Sequence, residues 1–197
     1  MRKIVAGAMF VATVAVAPPA FAEPVRLRID PAASTVSAAV AEPDRSKGAA
    51  TGKFSITSGE VTGDPSKPAA GTVTIVLDAK SYDSGNPFRD DAVFVLLDAN
   101  TYPTITFQST GVQNPVMTSS TAGTANVAGN LTIHGTTHTV SVPVKAALDK
   151  SGHLSADGQL TFNYADYNVK VPSLLGQSAA NEVTVTFHIV ALPAAAK

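Results

Sequence analysis

Apolar residues recur at every second position through much of the chain. Val25, Leu27 and Ile29 alternate with polar residues, as do Val36, Ala38 and Val40, then Val73, Ile75, Leu77 and Ala79. The pattern returns at Val140, Val142 and Val144 and at Val183, Val185, Phe187 and Ile189. A period of two puts one apolar face on each segment and predicts β-strands. The intervening residues are mostly Thr, Ser, Arg, Asp, Pro or His, so the second face is wet, as in antiparallel sheets covered on one side. Further extended runs are predicted at Lys53–Val61, Thr104–Val112, Thr124–Ile133 and Leu154–Tyr164.

One segment carries a different period. Asp90 to Asp98 has acids in its first turn and apolar residues at three- and four-residue spacing, which predicts a short helix within Phe88–Leu97. Asn100-Thr101-Tyr102-Pro103 then stops it. Eight or nine strands with one helix form a sandwich or a closed barrel, and periodicity does not choose between them. Loops are short, no repeat or linker is visible, and residues 193–197 read as a tail. One domain over residues 23–192 is expected.

The N-terminus has its own pattern. Arg2 and Lys3 precede the uncharged run Ile4–Ala17, and Pro18-Pro19 leads to Ala20-Phe21-Ala22. This is the three-part layout of a secretory signal at residues 1–22, with cleavage expected after Ala22. The run is too short for a bilayer span, which needs about 20 apolar residues. A periplasmic or secreted location follows, with no integral membrane segment after cleavage. The chain has no cysteine, so thiol chemistry and a lipoprotein anchor are excluded.

Composition narrows the function. The net charge of the 197 residues is −1, with 15% charged residues, which gives no basic stripe for nucleic acid. No Gly-x-Ser-x-Gly elbow and no phosphate-binding glycine loop occur. His134 and His138 flank Gly135-Thr136-Thr137 in an expected tight hairpin. They could converge on a metal, but a third ligand is missing, so exposed turn histidines are the expectation. Histidine 188 falls out of phase with its apolar neighbours, on the wet face. Asp90 and Asp91, or Asp30 with Glu42, are the carboxylate pairs available for acid–base work, and the first pair reads as helix capping. No cofactor is expected. The residues describe an exported β protein that binds.

Two stretches make the chain recognisable: Lys80-Ser81-Tyr82-Asp83-Ser84-Gly85-Asn86-Pro87-Phe88-Arg89-Asp90-Asp91, and Asp98 to Ser109 with its Tyr102-Pro103-x-Ile105-x-Phe107-x-Ser109 core. Gly52-Lys53-Phe54, Gly129 to Thr137 and Gly176 to Ala191 agree. Over about residues 25–192 the sequence resembles the YceI-like family of polyisoprenoid-binding proteins. The resemblance implies an all-β, eight-stranded antiparallel, lipocalin-like barrel with one short helical segment near a mouth. It also implies a long isoprenoid, quinone or fatty amphiphile held inside. The chain departs from the family pattern at Ala33, where a His is usual, and in Val40–Gly52, which lacks a second His. A third departure is Asn163–Asn168, which lacks an Arg and a Gly.

In such a barrel the apolar alternating residues point inward. Val36, Val40, Phe54, Ile56, Val73, Ile75, Leu77, Ile105, Phe107, Val140, Val142, Val185 and Phe187 are therefore expected inside, with Phe94 and Leu97 closing one end. Arg89 precedes the helix and is the candidate for a ligand's acidic head, because a guanidinium grips phosphate or carboxylate bidentately. An ion pair with Asp90 or Asp91 is the alternative role. A barrel filled by its own core, or an enzyme acting on a lipid, are the rival functions. A monomer or homodimer is expected.

Overall fold

The computed structural model describes residues 25–41, 48–64, 67–170, 173–174, 177–178 and 180–194. The expected signal segment, residues 42–47 and the last three residues lie outside the described residues. In chain order the elements are β1 (Val25–Ile29), β2 (Thr35–Ala41), β3 (Ala49–Phe54), β4 (Ile56–Asp64) and β5 (Lys67–Asp78). A 3-10 turn (Ala79–Ser81) and α1 (Pro87–Leu96) follow, then β6 (Thr104–Met117), β7 (Ala122–Ile133), β8 (Thr136–Leu148) and β9 (Leu154–Asn163). A second 3-10 turn (Tyr164–Tyr167) and a small hairpin of β10 (Ser173–Leu174) and β11 (Gln177–Ser178) precede β12 (Glu182–Pro193).

Neighbouring strands pair antiparallel in sequence order, and the last pairs with the first. β12 binds β2 through Val183↔Val40 to His188↔Thr35, then binds β1 along the same edge through Ile29↔Ala191 to Leu27↔Pro193. β1 and β2 are thus one stave interrupted at Asp30–Ser34. β3 and β4 form a second stave, interrupted at Ser55, because β3 pairs β2 and β4 pairs β1. With β5, β6, β7, β8, β9 and β12, eight staves close an up-and-down barrel, as expected. The run read as Lys53–Val61 is therefore two strands.

Local chemistry explains both breaks. Pro31 has no N–H, and Asp30 Oδ1 accepts from the amides of Ala32 (2.9 Å) and Ala33 (3.4 Å), a turn that pulls the chain out of the ladder. The Ser34 hydroxyl repairs the gap: it accepts from the Val190 amide at 2.9 Å and donates to the Val190 carbonyl at 3.3 Å. At the second break the Ser55 amide donates to Ser81 Oγ at 2.7 Å, tying in the first 3-10 turn. Lys53 and Asp83 exchange backbone hydrogen bonds of 2.8 and 3.0 Å, which covers β3 beyond the end of β5.

Helix α1 begins where expected and is capped by Asn86, whose Oδ1 accepts from the Phe88 amide at 3.1 Å. Asp98, in the left-handed region at φ 42°, ends it. The β7–β8 turn uses His134 (φ 50°) and Gly135 (φ 72°), the paired positive angles of a tight two-residue hairpin. Inside the barrel, Ile56, Leu77 and Ile105 sit opposite one another on three adjacent staves, and all three are buried. No helix among the described residues is long and apolar enough to cross a membrane.

Ser34→Ala should lower unfolding free energy by about 1–3 kcal/mol, because Val190 loses a side-chain partner at a buried seam. Urea denaturation of the two proteins measures it, and an unchanged midpoint would show that β12 closes the barrel without this hydroxyl.

Candidate binding cavity

The barrel is hollow. A cavity of about 710 Å³ extends along its axis. At one end it is bordered by Tyr82, Arg89, Ala92, Val93 and Leu96, below α1; at the other by Asp64, Met117, Ser120 and Thr121, near the turns that join β4 to β5 and β6 to β7. Between these ends the wall is aliphatic and phenyl carbon. The space arises because several inward positions are small: Ala38, Ala125, Ala146 and Ala156 line it where larger side chains would fill it.

Of the sixteen residues expected inside the barrel or at its end, thirteen border this space: Val36, Val40, Phe54, Val73, Ile75, Leu77, Arg89, Leu97, Ile105, Phe107, Val142, Val185 and Phe187. Phe94 does not. It packs partly buried against the core, while Arg89, Ala92, Val93 and Leu96, spaced by three and four, share the face of α1 toward the lumen. Phe94 follows Val93 by one residue and so points about 100° away from it. Ile56 and Val140 also pack in or against the core without bordering the cavity. Residues that the pattern missed include Leu160 and Phe162 of β9, Val169 and Tyr82. The β9 pair sat in a run whose faces were not assigned, and Tyr82 lies outside any periodic segment.

The polar groups at the α1 end are arranged by the loop before the helix. Asp90 Oδ1 accepts from the Ser84 amide at 2.9 Å and from its hydroxyl at 2.6 Å, so this carboxylate holds the loop. Asp91 is exposed. The Tyr82 hydroxyl is pushed above its ordinary pKa by burial, with Arg89 pulling it down and Asp90 pushing it up. It is therefore a neutral donor at physiological pH, within electrostatic reach of the guanidinium.

The histidines go to separate places. His134 packs edge-on to Tyr102, with its Nδ1 buried and unpartnered, instead of standing exposed in the turn. His138 packs on Tyr167, and its Nε2 lies 2.9 Å from the Asp166 carbonyl. His188 meets Asp157 at 2.7 Å, and His153 meets Asp149 at 3.3 Å. No group of three potential metal ligands forms among the described residues.

Tyr167 belongs to a plug in the wall. β8 pairs with β9 only from Leu148↔Leu154 to Val144↔Gly158. The next residue toward the α1 end, Pro143, has no amide hydrogen to offer a ladder. Beyond it the strands separate, and the 3-10 turn Tyr164–Tyr167 touches both. Asn168 Nδ2 donates to Thr136 Oγ1 at 2.9 Å, and the Ala165 amide donates to Asn181 Oδ1 at 2.9 Å, which fasten the turn to both sides. Tyr167 is 1% exposed, and its hydroxyl has no partner.

A closed meander around one lengthwise apolar space is the architecture of the lipocalin-like barrels. Within that class the chain belongs to the YceI-like domain family, whose profile matches residues 27–191. Among solved structures it is similar to the Burkholderia cenocepacia protein BcnA, at 32% identity and a TM-score of 0.71, covering 82% of this chain and 98% of that one. It also shares its fold with a polyisoprenoid binding domain from Saccharophagus degradans, at 16% identity and a TM-score of 0.68, covering 86% and 99% of the two chains. A UPF0312 protein of Vibrio vulnificus is 32% identical over 127 residues, which are 61% of this chain and 65% of that relative's length. One from Vibrio cholerae is 34% identical over 145 residues, 70% of this chain and 71% of the relative.

Tyr167→Phe should be no less stable at neutral pH, since it removes a buried hydroxyl that bonds to nothing. Burial pushes that hydroxyl from 10.0 up to about 12. Between these values the unfolded chain ionises first, so the wild type loses stability as pH rises, and Tyr167→Phe should lose less. Urea midpoints at neutral and alkaline pH test this, and equal losses would refute it.

Proposed function

We propose that this protein is exported, that its barrel takes up one long apolar molecule, and that it carries or sequesters that molecule without chemical turnover. The observation that carries the reading is the lumen: about 710 Å³ of space walled by hydrocarbon from one end of the barrel to the other. That volume lies within the roughly 300–1,000 Å³ range of small-molecule sites, and its length suits a chain better than a compact ligand. An isoprenoid, a quinone tail or a fatty amphiphile has this shape. The fold neighbour from Saccharophagus degradans is described as polyisoprenoid binding, which agrees with the first of these. A barrel filled by its own side chains would not leave such a space. The signal-like pattern of residues 1–22 supports a place of work in the periplasm or outside the cell.

The lining residues named above are the tail site in this reading, and the α1 end is the head site. The Arg89 guanidinium and the neutral Tyr82 hydroxyl are both donor groups at that end, so an oxygen-rich head, above all an anionic one, is the group they fit. The hydrocarbon then runs past Phe54, Leu77, Ile105 and Phe107 toward the opposite end.

Native mass spectrometry of the protein after mild extraction should find a lipid-sized added mass. The stripped protein should take up geranylgeraniol and geranylgeranyl phosphate. Arg89→Ala should weaken the phosphate by about tenfold and the alcohol much less. Leu97→Ala or Phe107→Ala should change the preferred chain length. A protein that carries no lipid and takes up neither compound is not a carrier. An Arg89→Ala protein that unfolds, leaving no head discrimination to measure, assigns Arg89 to holding the loop.

A further inference from the structure

Three aromatic rings of the lumen wall rest on glycines. On β3, Gly52 lies between Ala50 and Phe54 and pairs with Ala38, all lumen-lining, so its missing side chain would point inward. The Tyr82 ring occupies that place: a Cβ on Gly52 would meet Tyr82 Cζ, with Tyr82 Cε2 at 2.5 Å and the hydroxyl oxygen at 2.6 Å. On β7 a Cβ on Gly129 would lie 2.5 Å from Phe107 Cζ and 2.7 Å from the Gln108 carbonyl oxygen. On β9 a Cβ on Gly158 would meet Phe187 Cζ and lie 2.7 Å from the Pro143 carbonyl oxygen. In each case the ring borders the cavity and the glycine behind it does not.

We infer that these glycine seats set the bore of the lumen, and that Gly52 with Tyr82 selects the width of chain that passes the α1 end. The inference rests on the cavity being the binding site proposed above. An aromatic ring needs its full thickness of wall, and only a glycine beneath lets it lie in the wall instead of across the space. Any side chain at position 52 drives the Tyr82 ring inward by about 1–2 Å before carbon–carbon contacts return to roughly 3.5–4.0 Å. Gly52 gives the cleanest case, because the nearest atoms are all in one side chain, whereas Gly129 and Gly158 also face backbone oxygens. A narrowed bore disfavours a methyl-branched chain more than a straight one of equal length, since each branch adds width.

The test compares geranylgeraniol with the unbranched alcohol of equal carbon number, two neutral heads that leave Arg89 out of the comparison. Gly52→Ala should bind geranylgeraniol about tenfold more weakly, the effect of denying the ligand roughly two methylene groups of burial, and the unbranched alcohol less so. Adding Tyr82→Ala to Gly52→Ala should restore the wild-type preference between the branched and unbranched alcohols, since losing the Tyr82 hydroxyl weakens both heads alike. A folded Gly52→Ala protein with the wild-type preference overturns the inference, as does a double variant that keeps the preference of the single one. If Gly52→Ala does not fold, Phe107→Ala decides: vacating the Gly129 seat should shift preference toward the branched chain, and an unchanged preference overturns it. Wild-type protein that binds neither alcohol fails the binding reading itself, and the bore inference with it. A wild type that binds both, beside variants that do not differ from it, fails the bore inference alone.

Discussion

The rest of the structure depends on one seam. β12 offers a single edge to two strands in succession, β2 near the α1 end and β1 at the other, and the sheet becomes a barrel only when both are in register. The chain leaves the ladder between them after Asp30, whose amide still donates to the Val190 carbonyl at 2.8 Å, and the Ser34 hydroxyl accepts from the Val190 amide. Without that closure the first and last staves would be exposed edges rich in Val, Thr and Ala, the arrangement that recruits other strands. With it, the inward side chains share one lengthwise apolar space.

Keeping that space open works against ordinary packing. Protein interiors fill to crystal density, and an apolar void forgoes dispersion contacts on every surface that lines it. The chain offsets this locally. The Ile56, Leu77 and Ile105 belt packs across three staves, and the Tyr167 plug fills the place where β8 and β9 part at Pro143. The buried ring of Tyr167 contacts those of Phe162 and His138, edge to face. The wall is thus dense where it must hold and thin where alanines face the lumen.

Most of the barrel was legible because a strand with one dry face writes that face into every second residue. Val36, Ile75, Phe107, Val142 and Phe187 are read correctly from alternation alone, since a one-residue error would put each of them in water. The helix was legible as an element but not in its orientation. α1 is apolar nearly all round, with Phe88 and Val95 exposed at 89% and 73%, so no stripe distinguishes the face bearing Val93 from the one bearing Phe94. Tyr82, Tyr167 and the break at Ser55 left no periodic signal. Their places are set by contacts between residues distant in sequence, Tyr82 with Gly52 and Tyr167 with His138, which no local pattern encodes. The glycines were visible as letters, but only the ring lying on each one shows its purpose.

The order of the staves bears on when the lumen comes into being. Every other pair of neighbouring staves is consecutive along the chain, whereas the seam joins Leu27 to Pro193, almost the whole described chain apart. Contacts of such separation are the slowest to form, because the intervening chain must be ordered or constrained first. Synthesis order adds to this, for β12 is the last of the eight staves to be made. An apolar guest therefore has no complete container until the final strand docks, and whatever it binds, it binds to the closed state. By mass action the guest then acts on the seam, holding shut a junction that it does not touch.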